Sequence, residues 1–317
     1  MSEHKDSIGQ IGQAVKRVIG RYPESALENG PTLLVSGGVH GNEPSGVLAL
    51  QRVFDQLEAH QIFVKGQLIG LVGNLKAIRQ GVRLIDKDLN RICTPETAEK
   101  IRSHGMLDLA EEEEFKELLE LVDELEGKEG FQELLFMDFH TTSSPTHPYI
   151  SVNKAERSFA FAQQFPLPVV KGIEKFIPGH FDHFLSLNGH CGFTVEAGQH
   201  ESPLSIDYHE AMVYVALILC GMVDKSELPE WEQYAQKLED SSVNQASFEV
   251  VYRYQLGPED DFVMVPGFKN FDRVSKGQLL AWNNGEPVYS EWDDYIFMPL
   301  YQSQGSDGFF IVSSCGQ

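Results

Sequence analysis

Cysteine is sparse in this chain, and long apolar runs are missing. The four cysteines are scattered and form no CxxC pair: Cys93, Cys191, Cys220 and Cys315. Reduced thiols of this kind are typical of a cytoplasmic protein, so we expect no disulfide framework. No stretch approaches about 18 consecutive apolar residues, which excludes a membrane-spanning helix. Residues 1–20 are polar and mixed in charge, without the apolar core of a signal peptide.

Basic residues are also scarce. The chain has 25 Lys and Arg against 47 Asp and Glu, which gives a net charge of −22. Nucleic acid is therefore excluded as a partner, because phosphate binding needs clustered basic side chains. The hydrophobic content of 42% is that of a globular protein with a packed core. We expect a small-molecule substrate and neither nucleic acid nor membrane as partner, and the sequence leaves assembly into a homodimer open.

Apolar runs that stop at glycine or polar residues alternate with stretches of helical periodicity. Strands are predicted at 31–39, 66–74, 133–140 and 191–198, and helices at 44–60, 111–126 and 204–222. This alternation predicts an α/β fold with a mixed, mostly parallel sheet flanked by helices. In such sheets ligands bind beyond the carboxyl ends of the strands. The acidic run at 111–114 is interpreted as a solvated helix start.

The composition of the sequence changes after the last predicted helix. Residues 224–246 are polar and charged, and they predict a linker that is partly helical. From about residue 247 short strand-like pieces alternate with turns, which is typical of a small all-β unit. We therefore predict a larger domain over 1–240 and a β-rich C-terminal domain over 247–317.

The first candidate site is the segment GGVHGNEPSG, at a predicted strand-to-helix junction. His40 and Glu43 are three residues apart there, so an imidazole and a carboxylate can converge on one ion. Two His and one Glu form an attested ligand set for catalytic zinc, which keeps a fourth position for water. The alternative is a solvated histidine and glutamate on a loop, since an isolated HxxE is common by chance.

A third candidate ligand follows in MDFHTTSS. His140 stands at the end of a predicted buried strand, and Asp138 points to the same side of that strand. Asp138 can accept the ring N–H of a ligand imidazole and so fix its tautomer. A hydrogen-bonded buried histidine is the alternative. Together with His40 and Glu43, His140 predicts one zinc ion per chain.

Glu196, in FTVEAGQH, also ends an apolar strand. A carboxylate is costly to bury there unless it is paired or functional. Beside a metal it can accept a proton from the attacking water and return it to the leaving nitrogen. A structural salt bridge is the alternative.

The segment GVRLIDKDLNRIC offers Arg83, Asn90 and Arg91 in one loop. Arginine forks suit carboxylates and asparagine adds neutral donors, so the loop indicates a bound anion. Arg83 can instead polarise the scissile carbonyl. The alternative is that the arginines balance Asp86 and Asp88 at the surface.

These motifs, in this order, resemble the succinylglutamate desuccinylase/aspartoacylase family within the zinc carboxypeptidase superfamily. The matching pieces are SGGVHGNEPSG, GN at 73–74, GVRLIDKDLNRIC, MDFHTTSS with THPYISV, and TVEAGQH. The resemblance implies a zinc carboxypeptidase-like fold, hydrolysis of N-acyl amino acids and the same site residues. It makes His40, Glu43 and His140 the zinc ligands and Glu196 the base. It also implies that Arg83 polarises the scissile carbonyl and that Asn90 and Arg91 bind the substrate carboxylate.

One position departs from the family pattern. Family enzymes usually place an arginine about ten residues before the base, where Ser186 stands here. We therefore expect weak activity on N-acetylaspartate and N-succinylglutamate. The nearby histidines His180, His183 and His190 are interpreted as ordinary loop residues, and the alternative is that His183 or His190 is a replacement donor. The tyrosine that the family's C-terminal domain lends to the site is assigned to Tyr301 only as a guess.

Three readings of the function stay open at this point. The leading one is a zinc-dependent amidohydrolase, or deacylase, acting on a small N-acyl amino acid. A metallocarboxypeptidase acting on a peptide C-terminus is the second, and a non-catalytic binding protein on the same scaffold is the third. Within the hydrolases, a different specificity, for an ester or a non-amino-acid amide, also stays open.

Overall fold

The computed structural model describes residues 15–25, 30–104, 107–143, 145–242, 245–301 and 306–315. The polar amino-terminal segment lies outside the described residues as far as residue 14.

Strands and helices alternate along most of the described chain. In chain order the strands are β1 (Val18–Tyr22), β2 (Thr32–Gly37), β3 (Gln67–Val72), β4 (Leu134–Thr142), β5 (Tyr149–Val152), β6 (Val169–Lys171), β7 (Cys191–Gln199), β8 (Ser247–Gln255), β9 (Phe262–Met264), β10 (Leu279–Asn283), β11 (Glu286–Tyr289), β12 (Tyr295–Phe297) and β13 (Asp307–Cys315). The helices are α1 (Ser45–His60), α2 (Leu75–Gln80), α3 (Pro95–His104), α4 (Ala110–Glu126), α5 (Glu156–Ala162), α6 (Phe181–Leu187), α7 (Pro203–Leu219) and α8 (Trp231–Ser241). Leu89–Arg91 and Ile173–Lys175 form short 3-10 turns.

The main sheet has ten strands in the order β1-β3-β2-β4-β7-β5-β6-β8-β13-β12. The pairs β2/β3, β2/β4, β4/β7, β5/β6 and β6/β8 are parallel. The other neighbours are antiparallel. A second, three-stranded antiparallel sheet, β11-β10-β9, forms near the C-terminus. The predicted fold class, a mixed and mostly parallel sheet with helices and a small β-rich end, is confirmed.

Both faces of the sheet are covered, as the apolar runs require. In β2, Leu33 and Val35 face a core that includes residues of α1 and α7, while Leu34 faces a core that includes residues of α4 and α6. Alternate side chains of a strand point to opposite faces, so a strand buried on both faces is apolar throughout. This packing brings the carboxyl ends of β2, β4 and β7 to one edge of the sheet.

The turn after β2 needs glycine in two places. Gly38 has a φ of 68°, a left-handed conformation that L side chains rarely adopt. At Gly41 a Cβ atom would stand 2.1 Å from the backbone carbon of Ala77 in α2. The loop can therefore fold closely over α2, and it is this loop that carries the first candidate ligands.

The main sheet continues into the C-terminal residues. β8 pairs with β6 in parallel, and β13 and β12 follow at its outer side. The polar segment 224–246 holds α8, as its partly helical character predicts. The proposed division into 1–240 and 247–317 stays a prediction. Among the described helices, none combines the length and apolar character that crossing a bilayer requires.

Candidate metal centre and substrate cavity

Three buried side chains converge beyond the ends of β2 and β4. The Nδ1 atom of His40 lies 2.9 Å from Oε1 of Glu43, and Nδ1 of His140 lies 3.2 Å from Oε2. One ligand atom from each residue can be chosen so that all lie within 4.8 Å of one another. Burial alone would raise the pKa of the Glu43 carboxyl, but the two histidines lower it well below its usual range.

The outer nitrogens of both imidazoles face carboxylates. Nε2 of His140 lies 2.8 Å from Asp138, and Nε2 of His40 lies 3.2 Å from Asp88. Each imidazole therefore lies between two acceptors, Glu43 at Nδ1 and Asp138 or Asp88 at Nε2. A metal bound beside Glu43 would take the lone pair of each Nδ1, and the proton would then stay on Nε2. Two imidazole nitrogens and one carboxylate, oriented in this way, fit a catalytic zinc ion.

Asn90 lies beside Asp138 and His140. Its Nδ2 donates to Asp138 at 3.3 Å, and its Oδ1 accepts from the backbone N–H of Phe181 at 3.3 Å. Asp138 also accepts from the Ser36 hydroxyl. Asn90 therefore braces the carboxylate that orients His140, and its assignment as a substrate clamp stays a prediction.

Glu196 lies on β7 directly opposite His140 in the parallel register. Its side chain lines the cavity beside the three candidate ligands, and its Oε2 atom is buried without a hydrogen-bond partner. Burial raises the pKa of Glu196 to about 7. Among the described residues no Lys, Arg or His lies within ion-pair distance of it, so the alternative of a structural salt bridge has no partner there.

The two arginines differ in how they are paired. Arg83 pairs with Asp88 at 3.2 Å and with Glu43 at 3.5 Å. The pair with Asp88 agrees with the alternative that the arginines of this loop balance its aspartates. Arg91 donates to the carbonyl of Asn90 at 2.9 Å and lies 3.3 Å from Nε2 of His180. No carboxylate of the described residues lies within 4 Å of its guanidinium. Burial lowers the pKa of Arg91, and an anionic ligand would complete its environment.

Two connected spaces meet at the candidate ligands. An inner cavity of about 80 Å³ extends past Glu196 to β5, and an outer cavity of about 630 Å³ opens beyond His40. The C-terminal residues Phe297 and Met298 line the inner cavity. Residues 268–270, 298–301 and 306–307 line the outer one. The β-rich end thus forms part of the walls of the site.

The secondary candidates are placed unevenly. Ser186 accepts from Asn153 at 2.8 Å and is absent from the cavity linings, so its hydroxyl does not face the site. His190 pairs with Glu126 at 3.1 Å, which agrees with an ordinary loop residue and not with the alternative of a replacement donor. His180 lines the inner cavity instead. Tyr301 lines the outer cavity, but its hydroxyl donates to the Val265 carbonyl at 3.0 Å.

The acidic run at the start of α4 is not solvated as expected. Glu111 is fully buried, and its carboxylate accepts from the backbone N–H groups of residues 85–87 at 2.7–3.1 Å. It also accepts from Asn74 at 3.1 Å. Glu111 therefore fixes the backbone of the segment between Arg83 and Asn90. The sequence does not indicate this role, because Glu111 is the first of four consecutive glutamates.

Comparison with known proteins gives the family. Residues 29–219 match the succinylglutamate desuccinylase/aspartoacylase catalytic domain. The chain belongs to the succinylglutamate desuccinylase/aspartoacylase family. It is 37% identical over 70 residues to the succinylglutamate desuccinylase of Pseudomonas paraeruginosa, a match that spans 22% of this chain and only 21% of that protein.

Two further family members match over longer stretches. The succinylglutamate desuccinylase of a Shewanella species is 25% identical over 279 residues, which is 84% of this chain and 77% of the relative. The crystal structure of succinylglutamate desuccinylase from Chromobacterium violaceum superposes with a TM-score of 0.62 at 18% identity, covering 98% of each chain. At that identity the superposition shows a shared fold.

Proposed function

We propose that this family member is a zinc-dependent amidohydrolase that cleaves the amide bond of a small N-acyl amino acid. The observation that carries the proposal is the convergence of His40, Glu43 and His140 beside a buried carboxyl without a partner, that of Glu196. The names of the relatives, succinylglutamate desuccinylases, support the same class of reaction.

The metal would be held by His40, Glu43 and His140. When bound, zinc lowers the pKa of water and polarises a carbonyl oxygen as a Lewis acid. With the metal at the two Nδ1 atoms, Asp88 and Asp138 would accept the ring N–H of each Nε2 and so hold both imidazoles in the ligating orientation.

Glu196 is the general base in this proposal. Its carboxylate takes a proton from water as the oxygen attacks the amide carbon, and it returns a proton to the leaving nitrogen so that a neutral amine departs. A base with a pKa near the working pH is well matched to both transfers, and burial places the pKa of Glu196 there.

The arginines divide the remaining work. In this proposal Arg83, which lies 3.5 Å from Glu43, donates to the oxygen that becomes negative in the tetrahedral state. Arg91 binds the substrate carboxylate in this proposal, which is supported by its lack of a carboxylate partner among the described residues. Asn90 assists indirectly by supporting Asp138.

The outer cavity bears on the choice between an acyl amino acid and a peptide. Its volume of about 630 Å³ is in the range of small-molecule sites, and C-terminal residues form part of its wall. This volume and the wall formed by C-terminal residues support a small substrate over a peptide chain. The cytoplasmic location and the homodimer stay predictions.

Metal removal and restoration tests the proposal. Purified protein is stripped with a chelator, and hydrolysis of a panel of N-acetyl amino acids is measured before and after zinc is added back. Hydrolysis that is lost with the metal and returns at about one zinc per chain supports the proposal. Hydrolysis that is unaffected by stripping would refute the metal's role.

A further inference from the structure

One wall of the inner cavity is built by two antiparallel strands. β5 pairs with β7 so that Tyr149 stands opposite Glu196 and Ser151 stands opposite Thr194. Directly opposed residues of two strands project to the same face of a sheet. Three hydroxyl-bearing side chains therefore line the cavity beside the proposed base.

Two of these hydroxyls have no hydrogen-bond partner in the described protein. The hydroxyl oxygens of Tyr149 and Thr194 are buried and unpaired, and the residues are only 1% and 6% exposed. The Tyr149 ring is held edge-on by Phe271 and Phe297, so its hydroxyl is fixed in direction. A ligand that fills this cavity must either pair with the two hydroxyls or leave them buried and unpaired, which is costly.

The charges of the inner cavity are equally restrictive. Arg83 is engaged by Asp88 and Glu43, which leaves Arg91 as the cation without a carboxylate partner among the described lining residues. His180 also lines the cavity, but burial and the neighbouring Arg91 lower the pKa of its imidazole to about 3. A neutral His180 adds no second positive charge.

Resting on the proposed amidohydrolase function, we propose that the inner cavity selects N-acyl amino acids whose side chain is short, neutral and hydrogen-bonding, such as asparagine. The α-carboxylate binds Arg91, and the side-chain carboxamide pairs with the hydroxyls of Tyr149 and Thr194. The acyl group lies toward the outer cavity. A side-chain carboxylate would be buried without a cation, and an apolar side chain would leave both hydroxyls unpaired.

The size of the cavity sets the same limit on length. The inner cavity of about 80 Å³ has room for several water molecules, since one water molecule needs roughly 10–15 Å³ of such space. A short side chain fits this space. Ser186, which stands where an arginine is usual in the family, adds no positive charge to the cavity. Its hydroxyl accepts a hydrogen bond from Asn153 and does not line the cavity.

Three isosteric substrates test the selection. N-acetylasparagine, N-acetylaspartate and N-acetylleucine have side chains of nearly equal shape that differ in charge and hydrogen bonding. With the zinc-loaded enzyme, kcat/KM for the asparagine compound should exceed that for the aspartate compound on the order of 100-fold. It should exceed that for the leucine compound about 10-fold or more. Equal or higher kcat/KM with N-acetylaspartate would overturn the inference.

Hydroxyl deletions locate the effect. Tyr149→Phe and Thr194→Val remove one hydroxyl each at nearly constant volume, and each should shrink the preference for asparagine over leucine. Tyr289→Phe, at an exposed tyrosine of β11, is the matched control and should keep the preference. Unchanged preference in both cavity variants would overturn the assignment of the hydroxyls. Should a variant not fold, the wild-type comparison decides on its own.

Product binding separates this inference from the proposed reaction. Calorimetric titration of the zinc-loaded protein with free asparagine, aspartate and leucine should show the tightest binding for asparagine. If no acyl amino acid is hydrolysed but asparagine binds best, the proposed reaction fails and the cavity assignment stands. If hydrolysis occurs and aspartate binds best, the cavity assignment alone fails.

Discussion

The Oδ2 atom of Asp138 lies 2.8 Å from Nε2 of His140, two residues further along the same strand. Nδ1 of the same ring faces Glu43 at 3.2 Å, so a metal that takes Nδ1 would leave the ring proton on Nε2 for Asp138 to accept. Asp88 does the same for His40 from a different loop. Carboxylates from two separate segments thus face Nε2 of both histidines, and both Nδ1 atoms point toward Glu43. This common orientation suits the cluster to a metal.

Replacing the proposed base should separate metal binding from turnover. Glu196→Gln keeps the size of the side chain but cannot accept a proton, so zinc content should be unchanged. Turnover should fall about 10²–10⁴-fold, the usual contribution of a general base. Metal analysis and kcat of the same preparation check this. An active variant with normal zinc would assign the base to another residue.

The two arginines should give different kinetic signatures. Arg91→Ala removes the carboxylate contact of the ground state as well, so we expect a higher KM and a loss of about 100-fold in kcat/KM. Arg83→Ala should mainly lower kcat, because its contact tightens as the oxyanion forms. Steady-state kinetics on N-acetylasparagine distinguish them. The same loss of kcat with an unchanged KM in both variants would contradict the division.

Glu111 should be important for stability although it lies outside the site. In Glu111→Gln an NH₂ group replaces one of the two oxygens, either Oε1, which accepts from residue 85, or Oε2, which accepts from residues 86 and 87. We expect a loss of about 1–3 kcal/mol in the free energy of unfolding. Glu113→Gln, at an exposed position of the same helix, is the control. Denaturant unfolding of both variants measures the difference, and equal stabilities would contradict the role of Glu111.

Asp182 should make the stability of the metal-free protein depend on pH. Burial raises the pKa of its carboxyl to about 7, and Oδ1 has no hydrogen-bond partner. Between an unfolded pKa of about 4 and the folded value, only the folded state keeps the proton, so stability falls as pH rises. The stabilising contribution is complete below about pH 4 and is lost as pH passes 7.

The comparison for this prediction is Asp182→Asn. Relative to that variant, the wild type should lose about 1.4 kcal/mol per pH unit between about pH 4 and 7. Asp55→Asn, at an exposed aspartate, should show no such trend. Thermal melts across this range measure it. A constant difference between wild type and Asp182→Asn would show that Asp182 is ionised when folded.

The sequence predicted the sheet and the ligand cluster because both depend on local patterns. Apolar runs mark β2, β4 and β7, and in parallel strands the polar residues that follow them must meet at one edge. His40 and His140 therefore came together as expected. The position of Asp138 followed from the two-residue period of a strand.

Other features depend on contacts between distant segments, which no local pattern reveals. Tyr149 reaches Glu196 only because β5 runs antiparallel against β7. The burial of Glu111 depends on the backbone of residues 85–87 folding over it. His180 and His190 look alike in sequence, yet α6 and its flanking turns place one in the cavity and the other against Glu126.

Zinc content tests the central claim most directly. Elemental analysis of purified wild-type protein should give about one zinc per chain, and His140→Ala should lose most of it together with hydrolysis of N-acyl amino acids, because one of three ligands is gone. Ser143→Ala, at a hydroxyl lining the outer cavity, should keep the full zinc content. Full zinc in His140→Ala would contradict the account.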